Sequence, residues 1–455
     1  MLWIYGLIMT AAVIQAVLLA LQSWEHRRYS RARLGDVARQ PAWGRVCLIC
    51  PCKGVDVALE DNLRRLFEQD HDDYEIRFVV ESPLDPACGV IERLIGEYPG
   101  VAAKLVIAGR ATRTGQKIHN LQVATESLPE PIDVVAFVDS DAQPRPWWLR
   151  MLVSQLARDE IGATTGYRWF LPEKPTAANC VVYAINGAVA TLLNRNSWGF
   201  LWGGSWATRR ATFDALGIRQ AWQGVLSDDL VAGRQFRQAG AATRFDPACM
   251  VASPLSTSAV GALGFLRRQY LMARYYAPWW WRLGLVSALL TAAAWISTAA
   301  LLGASLAGRA TPVSFPLGFG GALYATTVYR GWLRRDVARL HFPELGQRLA
   351  WPGRVDMWLG PLVALVNFGA IAASMFGRRV SWRNRWYVLD GDGWVCASGE
   401  EAGRTASGSR ADAAGAPIAP HHGPPRAGGD GGLLRRRGLR RDGPHRRRLA
   451  PDRRN

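Results

Sequence analysis

The chain has few cysteines, and their arrangement does not suit a metal site or a disulfide framework. Seven occur among 455 residues, and the only cluster is VCLICPC, with Cys47, Cys50 and Cys52. A metal knuckle needs a second ligand pair at comparable spacing, and none follows. Because the cluster lies on an apolar, strand-like run, we expect reduced and buried thiols.

Two further patterns are missing. The first apolar run leads into Pro51-Cys52-Lys53-Gly54 rather than into the glycine-rich turn of a dinucleotide-binding site, which argues against a dehydrogenase. No basic region precedes the uncharged segment 2–22, as a cleaved signal peptide would require. Basic residues follow that segment instead, beginning with Arg27 and Arg28. We therefore expect a membrane anchor followed by a cytoplasmic domain.

Three more apolar segments follow, at 283–307, 313–329 and 357–376. The middle one is shorter and contains Pro316, so the sequence leaves open whether it spans the membrane or is re-entrant. Arginines follow the last segment and also fill the loop before it, so the positive-inside rule does not fix the side of the carboxyl terminus. The predicted organisation is an anchor at 1–22, a linker at 23–44, a cytoplasmic domain at 45–282, a membrane domain of about three spans at 283–390 and a tail at 391–455.

The formal net charge is +18, and the carboxyl-terminal tail is rich in arginine. From residue 391 onward the chain is also rich in Ala, Gly and Pro, a composition that cannot bury enough apolar surface to fold. Its arginine runs at 435–441 and 445–448 are typical of a solvated tail, with nucleic acid or an anionic membrane surface as alternatives. We expect a disordered basic tail without a specific nucleic-acid partner.

Short apolar runs alternate with helix-like stretches between the first and second membrane segments. Four strands and two helices are predicted, at 45–52, 74–82, 102–109 and 133–141 and at 56–69 and 88–98. This alternation predicts an α/β domain with a Rossmann-like, mostly parallel sheet. Such sheets bind ligands at the carboxyl ends of their strands, where Glu81, Asp85, Asp139 and Asp141 fall in the sequence.

Residues 134–142 read VVAFVDSDA, an apolar run that stops at Asp139 and Asp141. Two carboxylates one residue apart suit a hard divalent cation bound to a diphosphate. The same residues also fit a polar turn that caps the next helix. The spacing by itself leaves both interpretations open.

A second acidic pair begins the segment SDDLVAGRQFRQAG, at Asp228 and Asp229. Ser227 and Asp228 suit the N-cap and first turn of an amphipathic helix. A carboxylate at the start of a helix is also a good position for a general base in a cleft.

The segment FLRRQYLMARYY contains Arg268, Gln269 and Arg274 just before an apolar membrane segment. Interfacial aromatic residues and snorkelling arginines account for much of this composition. They do not account for Gln269.

Together, these segments resemble the inverting family-2 glycosyltransferases, most closely the ceramide glucosyltransferase group, and are also similar to hopanoid-biosynthesis glycosyltransferases. The likeness covers residues from about 45 to 390. It rests on PCKGVDVALEDNL, ESPLDPA, GQKIHNL, VDSDA, SDDLVAGRQFRQAG, the arginine-rich segment before the membrane and SWRNRWYVL, in this order. The resemblance implies a GT-A fold on the cytoplasmic side of a multi-pass membrane protein.

The resemblance also implies roles for individual residues. Asp139 and Asp141 would hold a nucleotide-sugar diphosphate together with Mg²⁺ or Mn²⁺, and Asp229 would be the catalytic base. The residues implied in donor binding are Glu81, Asp85, Lys117, Asp139, Asp228, Arg268, Gln269 and Arg274. The family motif before the membrane is Gln or Arg, two residues, then Arg-Trp, and this chain departs from it at Arg274-Tyr275.

The implied reaction is transfer of a hexose, glucose or a related sugar, from a UDP-sugar to a lipid hydroxyl with inversion. The apolar stretch 179–193 is either an interfacial helix along the lipid route or part of the core. A processive polysaccharide synthase shares the same motifs, although three carboxyl-terminal spans are few for a polymer channel. A non-catalytic membrane scaffold acting through the basic tail is a third interpretation, and the intact acidic residues argue against it.

Overall fold

The computed structural model describes residues 2–56, 58–308, 312–383 and 385–400. Its strands, in chain order, are β1 (Val46–Pro51), β2 (Tyr74–Val80), β3 (Ala102–Ile107), β4 (Val134–Val138), β5 (Ile161–Thr165), β6 (Arg168–Pro172), β7 (Ser205–Arg209), β8 (Ala242–Phe245), β9 (Val251–Leu255), β10 (Arg379–Trp382), β11 (Arg385–Leu389) and β12 (Val395–Glu400). Its α-helices are α1 (Leu2–Gly35), α2 (Leu59–Phe67), α3 (Ala87–Glu97), α4 (Gln116–Ala124), α5 (Trp148–Ser154), α6 (Ala177–Ala190), α7 (Arg210–Ala215), α8 (Ile218–Ala221), α9 (Asp228–Gln238), α10 (Ala259–Tyr276), α11 (Pro278–Leu306), α12 (Ser314–His341), α13 (Ala350–Trp358) and α14 (Gly360–Ala373).

A seven-stranded sheet in the order β3-β2-β1-β4-β7-β5-β8 forms the centre of the fold. Its strands pair in parallel except β7, which is antiparallel to β4 and to β5. A separate parallel pair joins β6 to β9. The four predicted strands correspond to β1 through β4, and the predicted α/β class with a mostly parallel sheet is confirmed.

The sheet is buried on both faces, which explains the uninterrupted apolar runs of its central strands. All five residues of β4 are buried. Val134, Ala136 and Val138 pack into one core cluster, while Val135 and Phe137 pack into a second cluster on the other face. The cysteines on β1 follow the same alternation as buried free thiols, as predicted.

The first helix is longer than the predicted anchor. It continues from the apolar segment to Gly35, so the expected linker at 23–44 is largely helical. Its second half is fixed by polar contacts to the sheet domain: Tyr29 donates a hydrogen bond to Phe245 O at 2.9 Å, and Arg33 pairs with the buried Asp246. These contacts explain why the helix continues beyond the apolar segment.

Among the helices that the structure describes, two, α1 and α11, are long and apolar enough to cross a membrane. The pair α13 and α14 would make a third span, although the two are bent by 83° at Leu359. In the described part of the chain, α12 does not meet the same criteria. It packs along α1 instead, where Asp336 forms ion pairs with Arg27 and Arg31.

A three-stranded antiparallel sheet, β10-β11-β12, follows the last apolar helix. The predicted disordered tail from residue 391 therefore begins too early, because Val395–Glu400 pairs with β11. Val395 N also donates a hydrogen bond to Gly224 O at 2.8 Å, which ties this strand to the sheet domain. The remainder of the predicted tail, 401–455, lies outside the described residues.

Candidate active site

An ion network joins the two elements that carry the predicted acids. Lys117 lies in the first turn of α4, with its Nζ 2.8 Å from Asp139 Oδ1 and 3.1 Å from Asp228 Oδ1. Asp139 directly follows β4, and Asp228 is the first residue of α9. Burial by itself would lower the pKa of Lys117, but the two carboxylates raise it above its ordinary value. The network therefore contains a charged lysine between two acids.

Two glycines allow this close packing. A Cβ atom on Gly203 would lie 2.8 Å from Asp228 Oδ2 and 2.9 Å from Lys117 Nζ. A Cβ atom on Gly204 would lie 2.4 Å from the Trp202 ring. Cβ atoms essentially never approach other atoms this closely, so a side chain at Gly203 would displace Lys117 or Asp228, and one at Gly204 would displace the Trp202 ring.

Asp228 is buried, with 3% of its surface exposed. Burial raises its pKa to about 6; Asp229 and Asp139 act in the same direction, and Lys117 opposes them. Among the described residues, no donor reaches Asp228 Oδ2. Asp228 is therefore an acid whose ionisation depends on its lysine partner.

Asp229 has a different environment and is partly exposed. Its Oδ2 accepts a hydrogen bond from Gly203 N at 2.9 Å, and its Oδ1 accepts from Ser227 Oγ at 2.6 Å and Leu230 N at 2.7 Å. Ser227 is the N-cap of α9, as predicted. These contacts hold the Asp229 carboxylate in one orientation at a helix N-terminus, next to the network around Lys117.

Asp139 and Asp141 suit a divalent cation as a pair of oxygen ligands. In the part of the chain that the structure describes, no side chain or backbone donor lies within hydrogen-bonding distance of the Asp141 carboxylate. Burial and the neighbouring Asp139 raise the pKa of Asp141, a shift that a bound cation would reverse. No group of three or more His, Cys, Asp or Glu side chains in the described ranges forms a metal site. A cation here would take its other ligands from substrate and water.

Arg168 is a site residue that sequence reasoning missed. Its guanidinium lies 4.6 Å from the centroid of the Phe170 ring, 5.6 Å from that of Trp202 and 5.4 Å from that of Phe265. Its positive charge lowers the pKa of Asp141, against the larger effect of burial. The local pattern YRWF supplies only the Phe170 ring; Trp202 and Phe265 come from distant segments, so the pattern does not indicate this role.

Arg268 lies next to Arg168, and both guanidinium groups contact the Phe265 ring. Burial lowers the pKa of Arg268 to about 10, the charge of Arg168 adds to this effect, and Asp141 opposes it. Within the described ranges, neither arginine forms an ion pair within 4.0 Å. The two therefore place unneutralised positive charge beside Asp141.

Glu81 is at the same sheet edge but is held by other partners. It forms ion pairs with Lys53, at 3.0 Å, and with Arg385 of β11. Asp85 has a local role, because its Oδ1 accepts hydrogen bonds from Gly54 N and Ala87 N, each at 2.9 Å. Sequence reasoning did not single out Arg385, although the segment SWRNRWYVL that contains it contributed to the family resemblance.

The structure does not bring Gln269 or Arg274 to this cluster. Gln269 is exposed on α10. Arg274 donates a hydrogen bond from Nη1 to Ser374 O at 3.0 Å, after the end of α14. Of the three residues predicted from the segment before the membrane, only Arg268 lies close enough to Asp141 for that carboxyl to affect its pKa.

The family model described as glycosyl transferase family 21 matches residues 7–395. Ceramide glucosyltransferase 3 of Caenorhabditis elegans is 29% identical over 142 residues, which cover 30% of this chain and 30% of the relative. Ceramide glucosyltransferase of Komagataella phaffii is 43% identical over 61 residues, 13% of this chain and 12% of the relative. The alignments thus cover less than a third of the length of each of these curated relatives.

Solved structures with a similar course of the chain include two glycosyltransferases. The mannosyltransferase PcManGT from Pyrobaculum calidifontis, in complex with GDP-Man and Mn²⁺, has a TM-score of 0.49 and 20% identity, covering 79% of this chain and 99% of that one. GalNAc-T7 with UDP, GalNAc and Mn²⁺ has a TM-score of 0.37 and 11% identity, covering 51% of this chain and 48% of that one.

Proposed function

Because this chain belongs to glycosyl transferase family 21, we propose that it transfers a hexose from a UDP-sugar to a lipid hydroxyl with inversion. The resemblance to the ceramide glucosyltransferase group is confirmed by the curated relatives. Their names support a ceramide-like acceptor and glucose as the transferred sugar. The GT-A expectation agrees with the mostly parallel sheet.

The observation that carries the proposal is the position of Lys117 between Asp139 and Asp228. It connects the Asp139-Ser140-Asp141 turn, suited to a diphosphate, with the Ser227-Asp228-Asp229 turn, suited to a base. A sugar-transfer site needs both functions on opposite sides of one anomeric carbon. If Asp139 and Asp141 only formed a polar turn that caps the next helix, neither Lys117 nor the second acidic turn would be needed.

Asp229 is the proposed base. Its carboxylate would take the proton of the acceptor hydroxyl while the hydroxyl oxygen forms a bond to the anomeric carbon. The bond from that carbon to the diphosphate oxygen breaks on the opposite face, and its electron pair leaves with UDP. The three hydrogen bonds from Gly203, Ser227 and Leu230 orient the carboxylate for this transfer.

The leaving diphosphate needs positive charge close to Asp139 and Asp141. A divalent cation bound to the two carboxylates would supply part of that charge. Lys117 supplies more from the α4 side, and Arg168 and Arg268 do so from the side of Asp141. Positive charge that is in place before the reaction stabilises the negative charge that develops on the phosphate, and the protein does not have to reorganise. Glu81, near Lys53 and Arg385, is the proposed contact for the rest of the nucleotide.

The acceptor is proposed to reach the site along a group of apolar residues next to Arg168. Phe170, Ile185 and Leu266 belong to one buried cluster formed by β6, β9, α6, α10 and α14. The stretch predicted as an interfacial or core helix is α6, and most of its residues are buried. Near the two ends of α10, Val260 and Trp279 are 83% and 64% exposed, as expected for residues that meet lipid. The arginines after the first span support a cytoplasmic active site.

The proposal is tested by incubating the chain in lipid vesicles with a total lipid extract and UDP-glucose, UDP-galactose, UDP-glucuronate or UDP-N-acetylglucosamine. We expect one new glycolipid, identified by mass, with UDP-glucose as the best donor. A glycolipid formed from another donor would support the proposed transfer reaction but show that the transferred sugar is not glucose. A long polymer in place of a glycolipid would indicate a polysaccharide synthase. No product from any donor would contradict the proposed enzymatic function.

A further inference from the structure

A cavity with two arginines lies where α10 meets α11, and it includes none of the acids of the candidate active site. Its volume is about 360 Å³, and it is lined by Arg274, Tyr275, Pro278, Arg378, Gly391 and Asp392. It contains two guanidinium groups. Neither of these arginines forms an ion pair within 4.0 Å among the described residues.

The position of the cavity relates it to the bilayer surface. Pro278 is the first residue of α11, which is long and apolar enough to span a membrane. The end of α14 lies beside the start of α11, because Trp281 Nε1 donates a hydrogen bond to Ser374 Oγ at 2.9 Å. Arg274 Nη1 also donates a hydrogen bond to Ser374 O. Two apolar elements therefore have their ends beside this cavity.

Exposed aromatic residues lie close in sequence to the residues that line the cavity. Trp279 is 64% exposed, Trp280 44% and Phe376 72%. Large aromatic side chains next to the end of a spanning helix are typical of the membrane–water interface. The cavity therefore lies at headgroup depth and is open to a lipid molecule.

We propose that this cavity binds the headgroup of an anionic phospholipid, with Arg274 and Arg378 on the phosphate. Guanidinium groups bind phosphate through paired, charge-assisted hydrogen bonds, and two of them match one phosphodiester. The negative charge of Asp392 would repel a free phosphate dianion. Its carboxylate would accept hydrogen bonds from headgroup hydroxyls. A glycerol headgroup supplies both the phosphodiester and the hydroxyls.

The inference is independent of the sugar-transfer reaction and explains the position of Arg274. On α10, Arg268 shares the Phe265 ring with Arg168, whereas Arg274 donates a hydrogen bond to Ser374 O beyond the end of α14. The departure of the sequence from the family motif at Arg274-Tyr275 coincides with this cavity. Anionic lipids are abundant in the cytoplasmic leaflet, the side proposed for the active site.

The test is native mass spectrometry of the full chain in detergent, titrated with phosphatidylglycerol, phosphatidylcholine or glycerol 3-phosphate. We expect the wild-type chain to retain one phosphatidylglycerol, and to bind phosphatidylcholine and glycerol 3-phosphate at least tenfold more weakly. Arg378→Gln should weaken phosphatidylglycerol binding about tenfold, the loss expected for one charge-assisted contact. Arg378→Lys, which keeps the charge, should retain most of the affinity.

Arg379→Gln is the matched control. Arg379 is the neighbouring residue, but its guanidinium lies 5.0 Å from the centroid of the Trp386 ring and does not line the cavity. Equal losses in Arg378→Gln and Arg379→Gln would indicate a diffuse charge effect and overturn the site. Equal affinity for phosphatidylcholine, or tight binding of glycerol 3-phosphate, would also overturn the proposed ligand. Sugar transfer is not the readout, so these outcomes are separate from those of the proposed enzyme.

Discussion

Lys117 Nζ lies 2.8 Å from Asp139 Oδ1, which connects the start of α4 to the carboxyl end of β4. The same ammonium group contacts Asp228 at 3.1 Å. A lysine shared by two acids offsets part of their negative charge and fixes their spacing.

Replacing Lys117 should damage both stability and donor binding. Lys117→Met leaves Asp139 and the buried Asp228 without their cation, which should lower the free energy of unfolding by about 2–4 kcal/mol. The measurement is the thermal unfolding midpoint in detergent, together with UDP affinity. Adding Asp228→Asn to Lys117→Met should recover part of the stability but not the UDP affinity. Unchanged stability in the single variant would show that the lysine does not hold the network.

Asp228 should give the fold a specific pH dependence. Its pKa in the folded chain, about 6, lies above the ordinary value of 3.8, so the folded state binds the proton more tightly. This contribution to stability is complete below about pH 4 and is lost as the pH rises through about 6, amounting to about 3 kcal/mol at most. Thermal midpoints of wild type and Asp228→Asn, measured from pH 4.5 to 7.5, should therefore decline more in the wild type. Parallel curves would contradict the assignment; Asp214→Asn, at an exposed acid, is the control.

Sugar transfer should require a divalent cation. Chelation with EDTA is expected to abolish turnover, and added Mn²⁺ or Mg²⁺ should restore it. Asp141→Asn removes one of the two proposed oxygen ligands and should raise the cation concentration needed for half-maximal rate by about tenfold or more. Full turnover in EDTA would exclude the cation from the mechanism.

The sheet after the last apolar helix should be part of the donor site. Arg385 of β11 pairs with Glu81, and Tyr387 Oη accepts a hydrogen bond from Gln116 N at 3.2 Å. A chain ending at Gly377 should lose UDP binding, whereas a chain ending at Glu400 should retain it. Arg385→Gln should weaken UDP binding, with Arg379→Gln as the control. If loss of 401–455 alone removed all function, the scaffold interpretation would replace the enzyme.

Much of the fold could be predicted because its determinants are local in sequence. A strand buried on both faces must be apolar throughout, and β4 followed by Asp139 shows that pattern directly. Ser227 was predicted as an N-cap for the same reason, since capping needs only neighbouring residues. The role of Lys117 came from the family resemblance, and the structure adds the two carboxylates that it contacts.

The parts that could not be predicted depend on contacts between distant segments. Arg168 contacts the rings of Trp202, in the loop before β7, and Phe265, on α10, and no local pattern encodes that grouping. The first helix continues to Gly35 because Arg33 meets Asp246, far along the chain. Strand β12 forms because β11 offers a partner, although the composition from residue 391 onward favours disorder.

The most direct test of the account compares wild type with Asp229→Asn in the transfer of labelled sugar from UDP-glucose to lipid, with UDP affinity measured on the same preparations. We expect the variant to lose at least a thousandfold in turnover while UDP affinity changes less than threefold, because the base acts on the acceptor hydroxyl and not on the nucleotide. Asp214→Asn, at an exposed acid, should behave as wild type. Undiminished glycolipid formation by Asp229→Asn would contradict the central claim that this carboxylate is the base of a sugar-transfer site.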